Sequence, residues 1–156
     1  MVETNKPLTV YKASAGSGKT FTLAAEYIKL LIGEPDNYRF ILAVTFTNKA
    51  TEEMKTRILS QLYGIGHALS DSEDYMDRIR EAFPKMVDKD IRDRALQSLD
   101  LILHHYSHFR VETIDSFFQS ILRNLARELG LTANLNVSLN DTETKDQAVD
   151  NIIEDI

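Results

Sequence analysis

The sequence predicts an α/β domain in which a short parallel sheet carries helical insertions. Runs with strand character alternate with runs of helical period along the chain, which favours a parallel sheet. A loop of small residues, Ala13 to Ser17, stands between a predicted strand and a predicted helix. Phe40 to Val44 is continuously apolar, as is typical of a strand that is covered on both faces of its sheet.

The composition is that of one ordinary globular domain. The chain has 156 residues, of which 43% are apolar and 27% charged. It has no cysteine, which excludes disulfides, thiolate metal sites and a cysteine nucleophile. Met1 to Pro7 is polar, and no apolar run approaches the length of a membrane span. We therefore expect a soluble cytoplasmic protein with no membrane partner.

Charge is distributed unevenly. The net charge of −6 taken alone disfavours nucleic-acid binding. Residues 1–68, however, carry eight Lys and Arg against six Asp and Glu, whereas residues 69–156 carry ten against eighteen. The acidity therefore lies in the second half, and the front half is mildly basic.

The first half alternates between strand and helix. Leu8 to Tyr11 predicts a strand that enters the small-residue loop, and Thr20 to Ile32, apolar on nearly all faces, predicts a buried helix. Gly33 to Asn37 predicts a stop and a turn before the apolar strand. A helix then begins near Lys49, with apolar residues every four positions, and it is expected to end at Gly64 and Gly66.

Residues 70–107 predict an all-helical insertion between strands. A first helix over Ser70 to Glu81 is broken by Pro84, and a second runs from Ile91 to Tyr106. Phe109 to Thr113 then predicts a short strand. Ser116 and Gln119 have the spacing of a capping box at the start of the next helix. The remaining expectations are Gly130 as a helix C′ residue, a strand over Leu135 to Leu139 and a last amphipathic stripe over Val149 to Ile156.

The small-residue loop ends in Gly-Lys-Thr and has the pattern of a phosphate-binding P-loop, with Ala13 where the strict pattern has Gly. Small residues let backbone N–H groups surround phosphate oxygens, and the start of the following helix adds to the anion site. Lys19 is expected to reach the β and γ phosphates of ATP, and the Thr20 hydroxyl to bind Mg²⁺. These two residues are the catalytic candidates. The full nucleotide-binding set is Ala13, Ser14, Ala15, Gly16, Ser17, Gly18, Lys19, Thr20 and Phe21.

A second string, Thr45-Phe46-Thr47-Asn48-Lys49, follows the apolar strand. It lies at the carboxyl end of that strand, where open α/β sheets bind ligands. An exposed aromatic ring can stack on a base, and hydroxyl, amide and ammonium groups can hold phosphates, so the string suits single-stranded nucleic acid. On spacing alone one alternative has equal weight, in which Phe46 is a core residue and Asn48 merely caps the next helix.

These two strings, with Glu53-Met54-Lys55, resemble the front of the UvrD/Rep/RecB-type helicases of superfamily one. A third string, Val111 to Phe118, is similar to motif Ib of that family. The resemblance implies a RecA-like P-loop domain, and it implies that Thr45, Phe46, Thr47, Asn48, Lys49, Thr113, Asp115 and Ser116 contact single-stranded DNA. Asp115 stands where the family has histidine; a carboxylate does not favour a phosphate, so it either caps the following helix or bonds a base amine. Ala13 to Gly16 and Gly130 to Val137 are closest in character to the RecB/AddA helicase-nucleases.

The resemblance also implies a longer protein. No apolar strand ends in Asp-Glu, the family's adenine-binding glutamine is not evident before the loop, and no second RecA-like domain is present. We therefore expect residues 1–140 to form part of the first ATP-binding domain and residues 141–156 to begin a helical subdomain. Helicase activity would need the rest of the helicase chain, and the exonuclease character of these relatives would lie outside this segment.

Two alternatives belong to other functional classes. A small P-loop kinase would need an acceptor-activating Asp and a mobile basic lid, and Arg78, Arg80, Arg92 and Arg94 are the candidates for the lid. A non-catalytic nucleotide-binding module would need only the P-loop. His104 and His108 are four residues apart, but no Asp or Glu lies between them as in the zinc-protease pattern, and the chain has no Cys, so a helix end near a strand is the simpler interpretation.

Overall fold

The computed structural model describes residues 9–11 and 18–128, and a small parallel sheet and five α-helices form there. The strands are β1 (Leu42–Thr45) and β2 (Arg110–Thr113). The α-helices are α1 (Lys19–Gly33), α2 (Asn48–Gly66), α3 (Glu73–Ala82), α4 (Asp88–His104) and α5 (Ile114–Glu128). Short 3₁₀ helices occupy Pro35–Phe40, Ser70–Ser72 and Tyr106–His108.

The chain divides into two compact units between Phe117 and Phe118. In the first unit, α4 packs against α1 and α2, and α3 packs against α1 and α2. Their apolar stripes close one core, whose fully buried side chains include Ile28, Ile58, Leu62, Ile91 and Ile102. Of the second unit the structure describes residues 118–128, which continue α5. The predicted boundary at residue 140 lies outside the described residues and stays a prediction.

The sheet confirms the predicted parallel pairing but not the predicted burial. Ala43 pairs with Val111, and both are buried. Leu42 and Val44 alternate with Ala43 and remain 38% and 41% exposed, so the expectation of a strand covered on both faces is wrong here. Alternating burial is the pattern of a sheet that is covered on one face.

Several boundaries and burials also differ from the sequence prediction. Thr9 to Tyr11 are not in a strand; Val10 is exposed, and the Tyr11 hydroxyl instead donates a hydrogen bond of 3.0 Å to Glu26. α1 is not buried all round, because Leu23 and Leu30 are about half exposed. Phe40 lies in a 3₁₀ helix and not in β1. Leu8, Gly130 and the stretches predicted over 135–139 and 149–156 lie outside the described residues.

The two glycines at the end of α2 serve close packing. Both lie inside the helix, which ends at Gly66 as predicted. A Cβ atom on Gly64 would overlap the buried Ser72 side chain, and one on Gly66 would overlap Leu96. The helix therefore passes its neighbours at a distance that a side chain would prevent.

Candidate nucleic-acid and nucleotide site

The parallel register brings two of the predicted segments to one edge of the sheet. Thr45, the last residue of β1, pairs with Thr113, the last residue of β2. Neighbouring strands lie about 4.8 Å apart, so the segments that follow both strands begin side by side. α2 and α5 start within a few residues of this edge, after Thr47 and Thr113 respectively.

The segment after β1 presents an aromatic ring to solvent. Phe46 is 87% exposed, so the alternative that it is a core residue is excluded. Thr47 is the N-cap of α2, because its side chain accepts a hydrogen bond of 3.1 Å from the Ala50 amide. Asn48 is the first residue of the helix and not its cap, which leaves its amide for another partner. Lys49 is also highly exposed, and its nearest carboxylate, that of Glu53, is 4.0 Å away.

The segment after β2 also begins a helix with a threonine cap. The Thr113 hydroxyl accepts a hydrogen bond of 3.2 Å from the Ser116 amide and lies 2.9 Å from the Ser116 hydroxyl. Thr113 therefore caps α5, and the predicted capping box at Ser116 is wrong. The suggestion that Asp115 caps the helix is also wrong, because Asp115 lies exposed in the first turn of α5. A carboxylate is favourable there, near the positive end of the helix dipole.

The structure describes the end of the P-loop pattern from Gly18 onward, and Ala13 to Ser17 lie outside the described residues. Gly18 precedes α1 with a φ of 77°, a left-handed conformation that favours glycine although a Cβ would meet nothing within 4 Å. Its carbonyl accepts a bond of 2.9 Å from the Thr22 amide. Lys19 and Thr20 are exposed in the first turn of α1, at a helix start whose N–H groups suit an anion.

The Phe21 side chain is half-buried and packs against α3. Its ring lies 4.5 Å from the Tyr75 ring of α3, centre to centre. It lines a cavity of about 250 Å³ together with Tyr11, Glu26 and Arg78. The hydrogen bond to Glu26 raises the pKa of Tyr11 in this cavity.

Two of the four arginines that a kinase lid would need are held in fixed structural contacts. Arg80 donates two hydrogen bonds to Asp88, of 3.1 and 2.7 Å, and also bonds Glu73 and Asp77. Arg94 donates to the Ile32 and Gly33 carbonyls at 2.9 and 2.6 Å, which closes the end of α1. A guanidinium with these bonds ties helices together and is not part of a mobile lid.

Sequence reasoning missed Thr51, a buried hydroxyl beside the exposed ring. Its side-chain oxygen lies 2.6 Å from that of Thr45 and 3.2 Å from the Thr47 carbonyl. One signal was available. Thr51 lies three residues before Met54, on the stripe that α2 buries, where a hydroxyl needs a partner.

The whole chain, residues 1–156, matches the family model described as the UvrD/REP helicase N-terminal domain. It is 35% identical over 131 residues to the RecBCD enzyme subunit RecB of Escherichia coli K12, covering 77% of this chain and 11% of that protein. It is 31% identical over 149 residues to an ATP-dependent helicase/nuclease subunit of the AddA type from Clostridium novyi, covering 92% and 10%. The resemblance to RecB/AddA-type proteins is thereby confirmed.

The chain spans about a tenth of the length of the curated relatives it matches. No solved structure matches it. Among residues 9–11 and 18–128, none of the helices has both the length and the hydropathy that a membrane span requires.

Proposed function

We propose that this chain, which belongs to the UvrD/REP helicase N-terminal domain family, forms the ATP-binding front of an ATP-dependent DNA helicase of the recombination and repair type. In this proposal it works together with the rest of a longer chain. The observation that carries the proposal is the exposed Phe46 ring, beside the point where Thr45 and Thr113 end adjacent parallel strands.

The start of α1 supports ATP and Mg²⁺ as ligands. A left-handed glycine, an ammonium group and a hydroxyl follow one another at Gly18, Lys19 and Thr20, which is the donor set that a nucleoside triphosphate and a hard cation require. Lys19 would hold the β and γ phosphates, and the Thr20 hydroxyl would bind the metal. The metal, when bound, neutralises phosphate charge, and the part of this chain is to bind and orient the phosphates.

The edge formed by β1 and β2 supports single-stranded DNA as the second ligand. The Phe46 ring can stack on one base without sequence preference. The Lys49 ammonium, the Asn48 amide and the Thr47 and Ser116 hydroxyls would hold neighbouring phosphates. The Thr45 and Thr113 hydroxyls are hydrogen-bonded to Thr51 and Ser116, and they would set the shape of this edge. Asp115 cannot attract a phosphate, so we assign it to a base amine. Because the Asp115 carboxylate repels the phosphate backbone of DNA, it also favours binding of the base edge at that position.

The nucleotide part is tested by titrating the chain with a fluorescent ATP analogue in the presence of Mg²⁺. We expect saturable binding that Lys19→Ala weakens at least tenfold, since hydrogen bonds of a charged group contribute about 1.5–3 kcal/mol. Lys85→Ala is the matched control, because Lys85 is an exposed lysine in the turn between α3 and α4. Equal loss in both variants, or no loss in either, would contradict the assignment of Lys19.

A further inference from the structure

The hydroxyl of Thr51 is the buried end of a hydrogen-bond cluster beneath the Phe46 segment. Thr51 is 6% exposed and lies in the first turns of α2. The Thr51 hydroxyl has two partners, the Thr45 hydroxyl and the backbone carbonyl of Thr47, which belong to the residues on either side of Phe46. Thr51 is therefore tied to both flanks of the exposed ring.

The protons of this cluster can be counted. The Thr45 hydroxyl lies 2.6 Å from the Thr51 hydroxyl, and each of them is 3.2 Å from the Thr47 carbonyl oxygen. Two hydroxyls supply two protons, so one donates to the carbonyl and the other donates to its fellow hydroxyl. In both arrangements the three groups stay linked, and the Thr51 amide adds a further bond of 3.0 Å to the same carbonyl.

This cluster fixes the backbone that aims the ring. With 87% of its surface exposed, Phe46 gains little orientation from packing against neighbours. Its direction therefore depends on the conformation of residues 45–47, which the cluster holds at both ends. A side chain that is already oriented binds more tightly, because less conformational freedom is lost on binding.

We propose that Thr51 is a positioning residue for the base-stacking contact of Phe46, an inference that rests on the proposed binding of single-stranded DNA. The hydroxyl of Thr51 touches no nucleic acid. It acts by holding Thr45 and Thr47 so that the ring between them is presented in one orientation.

The test removes the hydroxyl and keeps the shape. Thr51→Val is nearly isosteric, Thr51→Ser restores the hydroxyl, and Thr56→Val makes the same change at an exposed position of α2. Each variant is mixed with an oligo-dT that contains one 2-aminopurine, whose fluorescence falls on stacking, and the affinity is measured in parallel. One aromatic–base stack contributes roughly five- to 150-fold in affinity. A variant in which the ring is present but loosely held should lose part of this affinity, about three- to tenfold.

We expect Thr51→Val to weaken both binding and quenching, Thr51→Ser to recover both, and Thr56→Val to match the wild type. The slope of affinity against salt should not change, because no charge is altered. Wild-type quenching in folded Thr51→Val, or no recovery in Thr51→Ser, would overturn the inference alone. If the valine variant does not fold, Thr51→Ala takes its place with the same expectation. A wild-type chain that binds no DNA would overturn the proposed DNA contact itself and this inference with it.

Discussion

Replacing Phe46 by alanine should separate DNA binding from folding. Full burial of a phenylalanine side chain contributes about 1.5–3 kcal/mol to folding. At 87% exposure, truncation of Phe46 should change the free energy of unfolding by roughly 0.3 kcal/mol. Loss of one base stack costs about 1–3 kcal/mol of binding, which is roughly a five- to 150-fold rise in Kd. The variant should therefore unfold like the wild type and bind single-stranded DNA much more weakly.

The chain offers a matched control for this change. Phe40 is 80% exposed and precedes β1, whereas Phe46 follows it, so Phe40→Ala removes an equal ring from the other end of the strand. Both variants are titrated against fluorescein-labelled oligo-dT by anisotropy at one salt concentration, and their unfolding is followed in urea. If Phe46→Ala binds as tightly as Phe40→Ala, the ring does not stack on DNA and the reasoning from its exposure is refuted.

Three further predictions concern the scaffold. Gly64→Ala should destabilise the chain although alanine favours a helix by about 1 kcal/mol, because the new Cβ meets the buried Ser72; a urea midpoint at or above the wild-type value would contradict this. Arg94→Leu should lower the free energy of unfolding by about 2 kcal/mol through loss of bonds to the α1 carbonyls, and circular dichroism in urea measures it. The Arg80 hydrogen bonds hold the pKa of Asp88 below its ordinary value, so the stability that Asp88 contributes is present at neutral pH and should fade as pH falls below about 4. Unfolding of Asp88→Asn should differ from the wild type at pH 7 and converge with it in acid; a constant difference would count against the pairing.

The features predicted correctly from the sequence are those that repeat along the chain. α2, α4 and the pairing of β1 with β2 follow from apolar periodicity and from alternation of element types. Tertiary contacts set the features that were missed. No local pattern shows that Arg94 on α4 closes the end of α1, sixty residues earlier, or that Leu42 and Val44 face solvent.

At the candidate site, too, the sequence predicted the residue types correctly but not the hydrogen bonds that they make. The residue types around Phe46 predicted an exposed aromatic ring surrounded by polar groups, and the Phe46 ring is exposed in the structure. Spacing misplaced both helix starts, because Thr47 and Thr113 cap helices that Asn48 and Ser116 were candidates to cap. Thr113 is both the last residue of β2 and the cap of α5, whereas Thr47 caps α2 two residues after β1 ends, and spacing alone does not reveal either cap.

The most direct test of the central claim is photocrosslinking of the chain to an oligonucleotide that carries 5-iododeoxyuridine, followed by mass spectrometry of the linked peptides. The parallel register places the Phe46 segment beside the Thr113 segment, so one strand of DNA should reach both. We expect crosslinks in residues 45–49 and in residues 113–116, both weakened by Phe46→Ala. Crosslinks that fall only elsewhere in the chain would contradict the claim that these two strand ends form one DNA-contacting edge.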